Sequence, residues 1–163
     1  MVPPRFAEFS TLLQVLDDAG VEFIVVGGYA SIVHGGPLPT FDLDIVRRHT
    51  PANSARILKV LEQIDACTRH DSRRLRFDAT HLAAPGTLLM ATRFGPMDIL
   101  ASLHDGRTYD DLLDHTELFQ IAGRAVRVLD LPTLIEVKAA AGRDKDRMVV
   151  QHLTAILRSR EAG

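Results

Sequence analysis

Three features of the 163-residue chain predict an α/β fold of the α+β kind, a small mixed β-sheet flanked by helices. Apolar stripes at helical spacing mark both ends of the chain. Short β-branched apolar runs lie between them. Glycine and proline punctuate those runs at strand-length intervals. No internal repeat, low-complexity tract or Pro/Gly/Ser linker divides the sequence. One domain over 1–163 is therefore expected, with a core at about 20–105 and a C-terminal helical segment at about 131–160.

Phe6, Phe9, Leu12, Leu13 and Leu16 form the first helical stripe, and Gly20 suits its C-terminal end. Glu22 to Val26 reads EFIVV, a strand buried on both faces. Gly27-Gly28 stops it, and a short helix over Tyr29 to His34 follows, closed by Gly35-Gly36. Pro37 and Pro39 make a loop before a second strand, Asp42 to Val46. Thr50 and Pro51 read as N-cap and first helical position, and Ile57, Leu58, Leu61 and Ile64 give that helix its apolar side. Cys67 to Pro85 has no single period and reads as part strand, part loop. Thr87 to Arg93 and Met97 to Ala101 are strands joined at Phe94-Gly95-Pro96. A short helix is expected near Tyr109 to His115, then a hairpin of Glu117 to Ile121 and Ala125 to Leu129 about Ala122-Gly123. Helices near Pro132 to Ala141 and Lys145 to Arg158 end the chain.

Composition removes several function classes. The formal charge is −2, so no global basic field argues for non-specific nucleic-acid binding. Cys67 is the single cysteine, which rules out an intramolecular disulfide and a multi-cysteine zinc site. The N-terminus lacks a basic segment followed by an apolar run, and no stretch nears the roughly 20 apolar residues of a membrane span. A cytoplasmic protein with no membrane partner is the expectation. No HExxH, Gly-x-Ser-x-Gly or Walker lysine motif occurs.

The chemistry concentrates in Gly27 to Ile45. On a strand, Asp42 and Asp44 project from one face and Leu43 and Ile45 from the other. Two half-buried carboxylates side by side repel, and a divalent cation removes that cost. Hard oxygen ligands suit Mg²⁺ or Mn²⁺ with substrate phosphates completing the shell. The bland alternative is an exposed strand face, which the neighbouring Leu43, Ile45 and Val46 weaken. Gly27-Gly28, where a strand breaks into a helix, offers free backbone N–H groups of the kind that cradle phosphate. Asp98, between Met97 and Ile99, is an acid in an apolar strand. It either pairs with a buried arginine or lysine or joins a metal or base site, and the company of Asp42 and Asp44 favours the latter.

Gly-Gly, a short helix, a Thr-x-Asp-x-Asp strand (Thr40, Asp42, Asp44) and a later apolar strand with Asp98 resemble the DNA polymerase β-like nucleotidyltransferase superfamily. The segment LIEVKAAAGRDKD, Leu134 to Asp146, is similar to the Lys…Arg-x-Lys-Asp stretch of bacterial minimal nucleotidyltransferases, especially AbiEii-like abortive-infection toxins. The resemblance implies that Asp42, Asp44 and Asp98 bind metal, that Asp98 helps deprotonate the attacking hydroxyl, and that Gly27 and Gly28 hold the triphosphate. It further implies that Thr40 supports the aspartate strand and Lys138 approaches phosphate. The implied reaction moves a nucleoside monophosphate from an NTP such as ATP to an acceptor hydroxyl, on tRNA or on a protein, in a toxin–antitoxin setting with a cognate antitoxin. A drug-modifying transferase is an alternative, for which the chain reads as short. A module of the same fold that binds nucleotide or a partner without turnover is another.

Lys138 has a separate argument, because it shares a helical stripe with Leu131, Leu134 and Ile135 and must snorkel outward or enter a cleft. Arg143, Lys145 and Asp146 open the last helix as local ion pairs or substrate contacts. Leu38 stands where related sequences often carry an arginine two positions before the threonine. A basic contact is then absent or supplied elsewhere, with Arg47, Arg48 and Arg93 as candidates. Arg69, Arg73, Arg74 and Arg76 form the densest basic region, read as a charged edge strand rather than an RNA contact. His34 is read as a cap or packing residue, His104-Asp105 as a turn, and Asp110, Asp111 and Asp114 as a solvated helix face.

Overall fold

The computed structural model describes residues 2–163 and has a seven-stranded mixed sheet with helices before, between and after its strands. Helix α1 (Phe9–Asp18) buries Leu12, Leu13 and Leu16. Phe6, expected on the same stripe, lies outside the helix and is exposed. The backbone explains this. Ala7 N–H donates to the Phe41 carbonyl and Glu8 N–H to the Phe94 carbonyl, so the approach to α1 is tied to two loops instead of the helical ladder.

Strand β1 (Phe23–Val26) is buried at every position, as a central strand requires. Helix α2 (Gly27–Val33) follows without a connecting loop. Strand β2 (Leu43–Arg47) runs antiparallel to β1, with Val26 opposite Asp44. Asp42, expected inside the strand, sits just before it. Its would-be partner on β1 has already turned into α2. Helix α3 (Pro51–Gln63) begins as expected, with the Thr50 side chain accepting from Asn53 N–H. Asn53 is fully buried and clips three backbone groups together: it accepts from Glu22 N–H and donates to the Glu22 and Arg48 carbonyls.

The segment without a clear period contains a two-residue strand, β3 (Cys67–Thr68), and a five-residue helix, α4 (Ala79–Ala83), capped by Asp78 and His81. Strands β4 (Thr87–Thr92) and β5 (Gly95–Leu100) then form a hairpin. Gly95-Pro96, expected in the turn, belongs to β5. The Thr92 hydroxyl accepts from Phe94 N–H and donates to the Gly95 carbonyl, which tightens the turn to Arg93-Phe94. Helix α5 (Tyr109–Leu112), a 3₁₀ turn (Leu113–His115), and hairpin strands β6 (Thr116–Ile121) and β7 (Arg124–Leu129) follow. Helices α6 (Leu131–Ala141) and α7 (Asp144–Ala162) end the chain, separated by Gly142 in the left-handed conformation.

The spatial order is β3-β4-β5-β2-β1-β7-β6. Strands β2 and β5 are parallel neighbours, and so are β1 and β7; the other pairs are antiparallel. The β2/β5 register sets Asp44 directly beside Asp98 and Ile45 beside Ile99. One alternation therefore fixes two acids on one face and leaves Leu43, Ile45, Met97 and Ile99 fully buried on the other. Among the described residues, no helix is long and apolar enough to cross a membrane.

Candidate active site

Asp44 from β2, Asp98 from β5 and Asp42 from the entry to β2 converge, with one carboxylate oxygen of each lying within 4.8 Å of the others. Asp98 is buried, whereas Asp42 and Asp44 are half-buried. Oδ1 of Asp44 and Oδ1 of Asp98 are buried and have no hydrogen-bond partner. Unpaired buried carboxylate oxygens are costly, and the set present is all hard oxygen. The three residues thus fit a divalent cation of the Mg²⁺ or Mn²⁺ type.

The same crowding shows in their protonation. Burial, then the charges of Asp42 and Asp98, push the Asp44 carboxyl up to about 8. Burial also raises Asp98, against the opposing pull of Arg69. Without a cation, Asp44 therefore carries a proton near neutrality. Between its ordinary value of 3.8 and about 8, folded Asp44 binds a proton that the unfolded chain has released, so its contribution to stability falls as pH rises. The melting temperature of metal-free protein is expected to fall, relative to Asp44→Asn, between about pH 5 and pH 8. Mn²⁺ is expected to oppose that fall. Thermal melts of both proteins across that range, with and without Mn²⁺, check this; parallel profiles would contradict it.

Gly27 and Gly28 earn their place by close approach. Gly27 has φ +68°, and a Cβ there would lie well inside van der Waals contact distance of Asp44 Oδ2. A Cβ on Gly28 would lie 2.6 Å from Thr40 Oγ1. The glycine pair therefore lets the first turn of α2 touch the acid-bearing strand and the threonine before it. That turn carries backbone donors that no intrahelical carbonyl can satisfy. Thr40 in turn directs its hydroxyl toward Asp42, 3.4 Å from Oδ1.

A cleft of about 280 Å³ opens over the acids. Lys138 reaches it from α6, and Arg143 and Lys145 from the start of α7. Lys138 is buried, so the inward choice for its side chain holds, and burial lowers its ammonium pKa. Asp146, also buried, organises this basic side: its carboxylate takes Arg143 Nε at 2.6 Å and faces Lys138 Nζ at 3.8 Å. Leu38 and Val149 supply apolar wall.

Some expected contacts lie elsewhere. Arg47 is buried and donates to the Leu82 carbonyl, Arg48 pairs with Glu22 and Asp110, and Arg93 stacks on Phe94 near Asp65. None of these three candidates for the missing basic contact lines the cleft. Arg69, read as part of a charged edge, instead brings its guanidinium to the acids, 2.7 Å from Asp98 Oδ1 and 3.7 Å from Asp42 Oδ2. Asp98 thus has an arginine partner as well as a place in the acid cluster. The approach to Oδ1 is close in distance but off the hydrogen-bond axis, because that oxygen remains without a hydrogen bond. His34 is a packing residue, donating from Nε2 to the Leu129 carbonyl and meeting Phe119 edge to face.

No protein-family model matches the chain, and a search of curated proteins finds no relative by sequence. Solved structures do match, and they give the chain the nucleotidyltransferase fold. Lincomycin-bound LnuA, a lincosamide antibiotic adenylyltransferase, aligns with TM-score 0.64 and 15% identity over 94% of this chain and 99% of its own. An antigenic nucleotidyltransferase-like protein from Paracoccidioides brasiliensis aligns with TM-score 0.60 and 13% identity over 96% and 78%. The antibiotic-resistance factor ANT(2'')-Ia aligns with TM-score 0.50 and 14% identity over 94% and 91%. At these identities the likeness establishes the fold. The match to LnuA also corrects the expectation that this chain is short for a drug-modifying transferase, since the two chains are nearly coextensive.

Proposed function

We propose that this protein is a metal-dependent nucleotidyltransferase that moves a nucleoside monophosphate from an NTP to an acceptor hydroxyl. The observation that carries the reading is the meeting, in one cleft, of three carboxylates from adjacent strands with Lys138, Arg143 and Lys145. An acid cluster alone is common. An acid cluster facing a basic wall suits a substrate that brings both phosphate and metal. One sheet running from β3 to β6 supports treating residues 1–163 as a single nucleotidyltransferase-like domain.

Asp42, Asp44 and Asp98 would hold the divalent ions. When bound, such ions lower the pKa of an acceptor hydroxyl and neutralise charge on leaving pyrophosphate. Lys138, Arg143 and Lys145 would bind the triphosphate, with Asp146 holding the first two in position. Gly27 and Gly28 would bring backbone N–H groups to phosphate, and Thr40 would fix Asp42. Asp98 would receive the acceptor's proton. The acceptor oxygen then bonds to the α-phosphorus, and the bond from that phosphorus to the bridging oxygen of pyrophosphate breaks.

A tRNA end or a protein in a toxin–antitoxin pair is the acceptor class suggested by the resemblance to AbiEii-like proteins. A small hydroxylated molecule is the second reading, favoured by a lincosamide adenylyltransferase of nearly the same extent. Incubation with each α-labelled NTP, Mg²⁺ or Mn²⁺, total tRNA, cell protein and a panel of lincosamides and other hydroxylated antibiotics separates them. Label on any acceptor, lost in Asp42→Ala, supports the reading and names the class. NTP binding without transfer to any of these would favour a module of this fold that binds without turnover.

A further inference from the structure

We propose that Arg69 is a built-in counter-ion of the acid cluster, one that a divalent cation must displace in order to bind. The inference rests on the metal reading of Asp42, Asp44 and Asp98 given above. Arg69 follows directly after the two-residue edge strand β3. Its backbone N–H donates to the Leu89 carbonyl, and its Nη1 donates to the Met90 carbonyl at 2.9 Å, so both ends of the residue are tied to β4. From that tether Nη2 spans two of the three acids, at 2.7 Å from Asp98 and 3.7 Å from Asp42. Among the described residues, no other basic side chain forms an ion pair with Asp42 or Asp98. Lys138, the buried cation of the cleft, is instead paired with Asp146.

The contact differs from a settled structural ion pair in two respects. Arginine and carboxylate normally meet in line and often with two hydrogen bonds. Here Asp98 Oδ1 has the charge nearby without accepting a hydrogen bond, and Asp44 Oδ1 accepts none either. One guanidinium also cannot balance three clustered carboxylates. The site is thus held together by Arg69 without being satisfied by it. A divalent ion supplies twice the charge to the same oxygens, but it must first overcome the attraction that holds Arg69.

The consequence is an order of binding. A metal ion arriving alone competes with Arg69 and binds weakly. A metal ion arriving with a triphosphate brings extra ligands and negative charge, which also offers the displaced guanidinium a new partner. Arg69 therefore couples metal binding to nucleotide binding and disfavours loading of the empty site.

The test is Mn²⁺ binding to the full chain without nucleotide, read by the loss of the free-ion EPR signal. Arg69→Gln is expected to bind Mn²⁺ tighter than wild type by on the order of tenfold. Arg73→Gln removes an equal charge from the same loop, where Arg73 pairs with Asp71, and is expected to match wild type. Arg69→Lys, which keeps the charge but loses the planar tether, is expected to fall between wild type and the glutamine variant. It also serves if Arg69→Gln does not fold. Mn²⁺ affinity equal to or weaker than wild type, in whichever Arg69 variant shows native circular dichroism, would overturn the proposal while leaving the metal site in place. Absence of Mn²⁺ binding in wild type and all variants, even with ATP added, would overturn the metal reading and this inference with it.

Discussion

Asp44→Asn is expected to lower nucleotidyl transfer by at least about a thousandfold while making the metal-free protein more stable. The two effects have one cause. Asp44 is held between Val26 on β1 and Asp98 on β5, with one oxygen buried and unpartnered. Its carboxyl is driven up to about 8 by burial and then by the neighbouring charges of Asp42 and Asp98, which outweigh the pull of Arg69. Such a residue costs stability in the absence of its ligand, and asparagine of the same shape removes the charge. A gain of about 1–3 kcal/mol at pH 8 is the expected scale. Transfer assays on labelled NTP and denaturant melts without metal give both readings. An Asp44→Asn protein that keeps transfer within tenfold of wild type, or melts lower at pH 8, would remove Asp44 from the proposed metal site.

Gly27→Ala is expected to have the second largest effect. The residue combines a left-handed backbone, φ +68°, with direct contact against the Asp44 carboxylate. An alanine there must strain the turn and displace Asp44 together. The expected cost is about 1–3 kcal/mol of stability and at least about a hundredfold of activity. Gly123→Ala provides the control, since φ is +77° but nothing lies within 4 Å of the added carbon. That variant is expected to lose stability by about 1 kcal/mol and to keep activity. Equal activity in the two variants would show that the close approach of α2 to β2 is not what places Asp44.

Much of this fold was legible because its signals are local. The Ala122-Gly123 hairpin and the Thr50-Pro51 helix start each depend on a few adjacent residues. Asp44 between Leu43 and Ile45, and Asp98 between Met97 and Ile99, are likewise marked by their neighbours as acids on the face opposite the core, whereas Asp42 lies just before β2 and joins them from the strand's entry. Which strand Asp98 would pair with was not legible, since the β2/β5 register joins residues 54 positions apart.

The stretch from Cys67 to Pro85 resisted reading for a physical reason. Its strand has two residues and its helix five, too few to show a period. In sequence Arg69 is one charge among several, and its contact with Asp42 and Asp98 forms only when β3 joins the sheet beside β4. Phe6 misled in the opposite way. Its spacing fits the α1 stripe, but the backbone at Ala7 and Glu8 is committed to Phe41 and Phe94. Arg47, Arg48 and Arg93, the sequence candidates for the basic contact, each have partners elsewhere in the fold. The basic side of the cleft comes from α6 and α7, far along the chain.

Equilibrium binding of a non-transferable NTP analogue, titrated with and without Mn²⁺ in wild type and in Asp42→Ala, tests most directly whether the acid cluster binds a divalent ion together with a triphosphate. The expected result is binding that tightens at least about tenfold with Mn²⁺ in wild type and loses that dependence in Asp42→Ala. Analogue binding indifferent to both Mn²⁺ and Asp42, or no analogue binding at all, would contradict it.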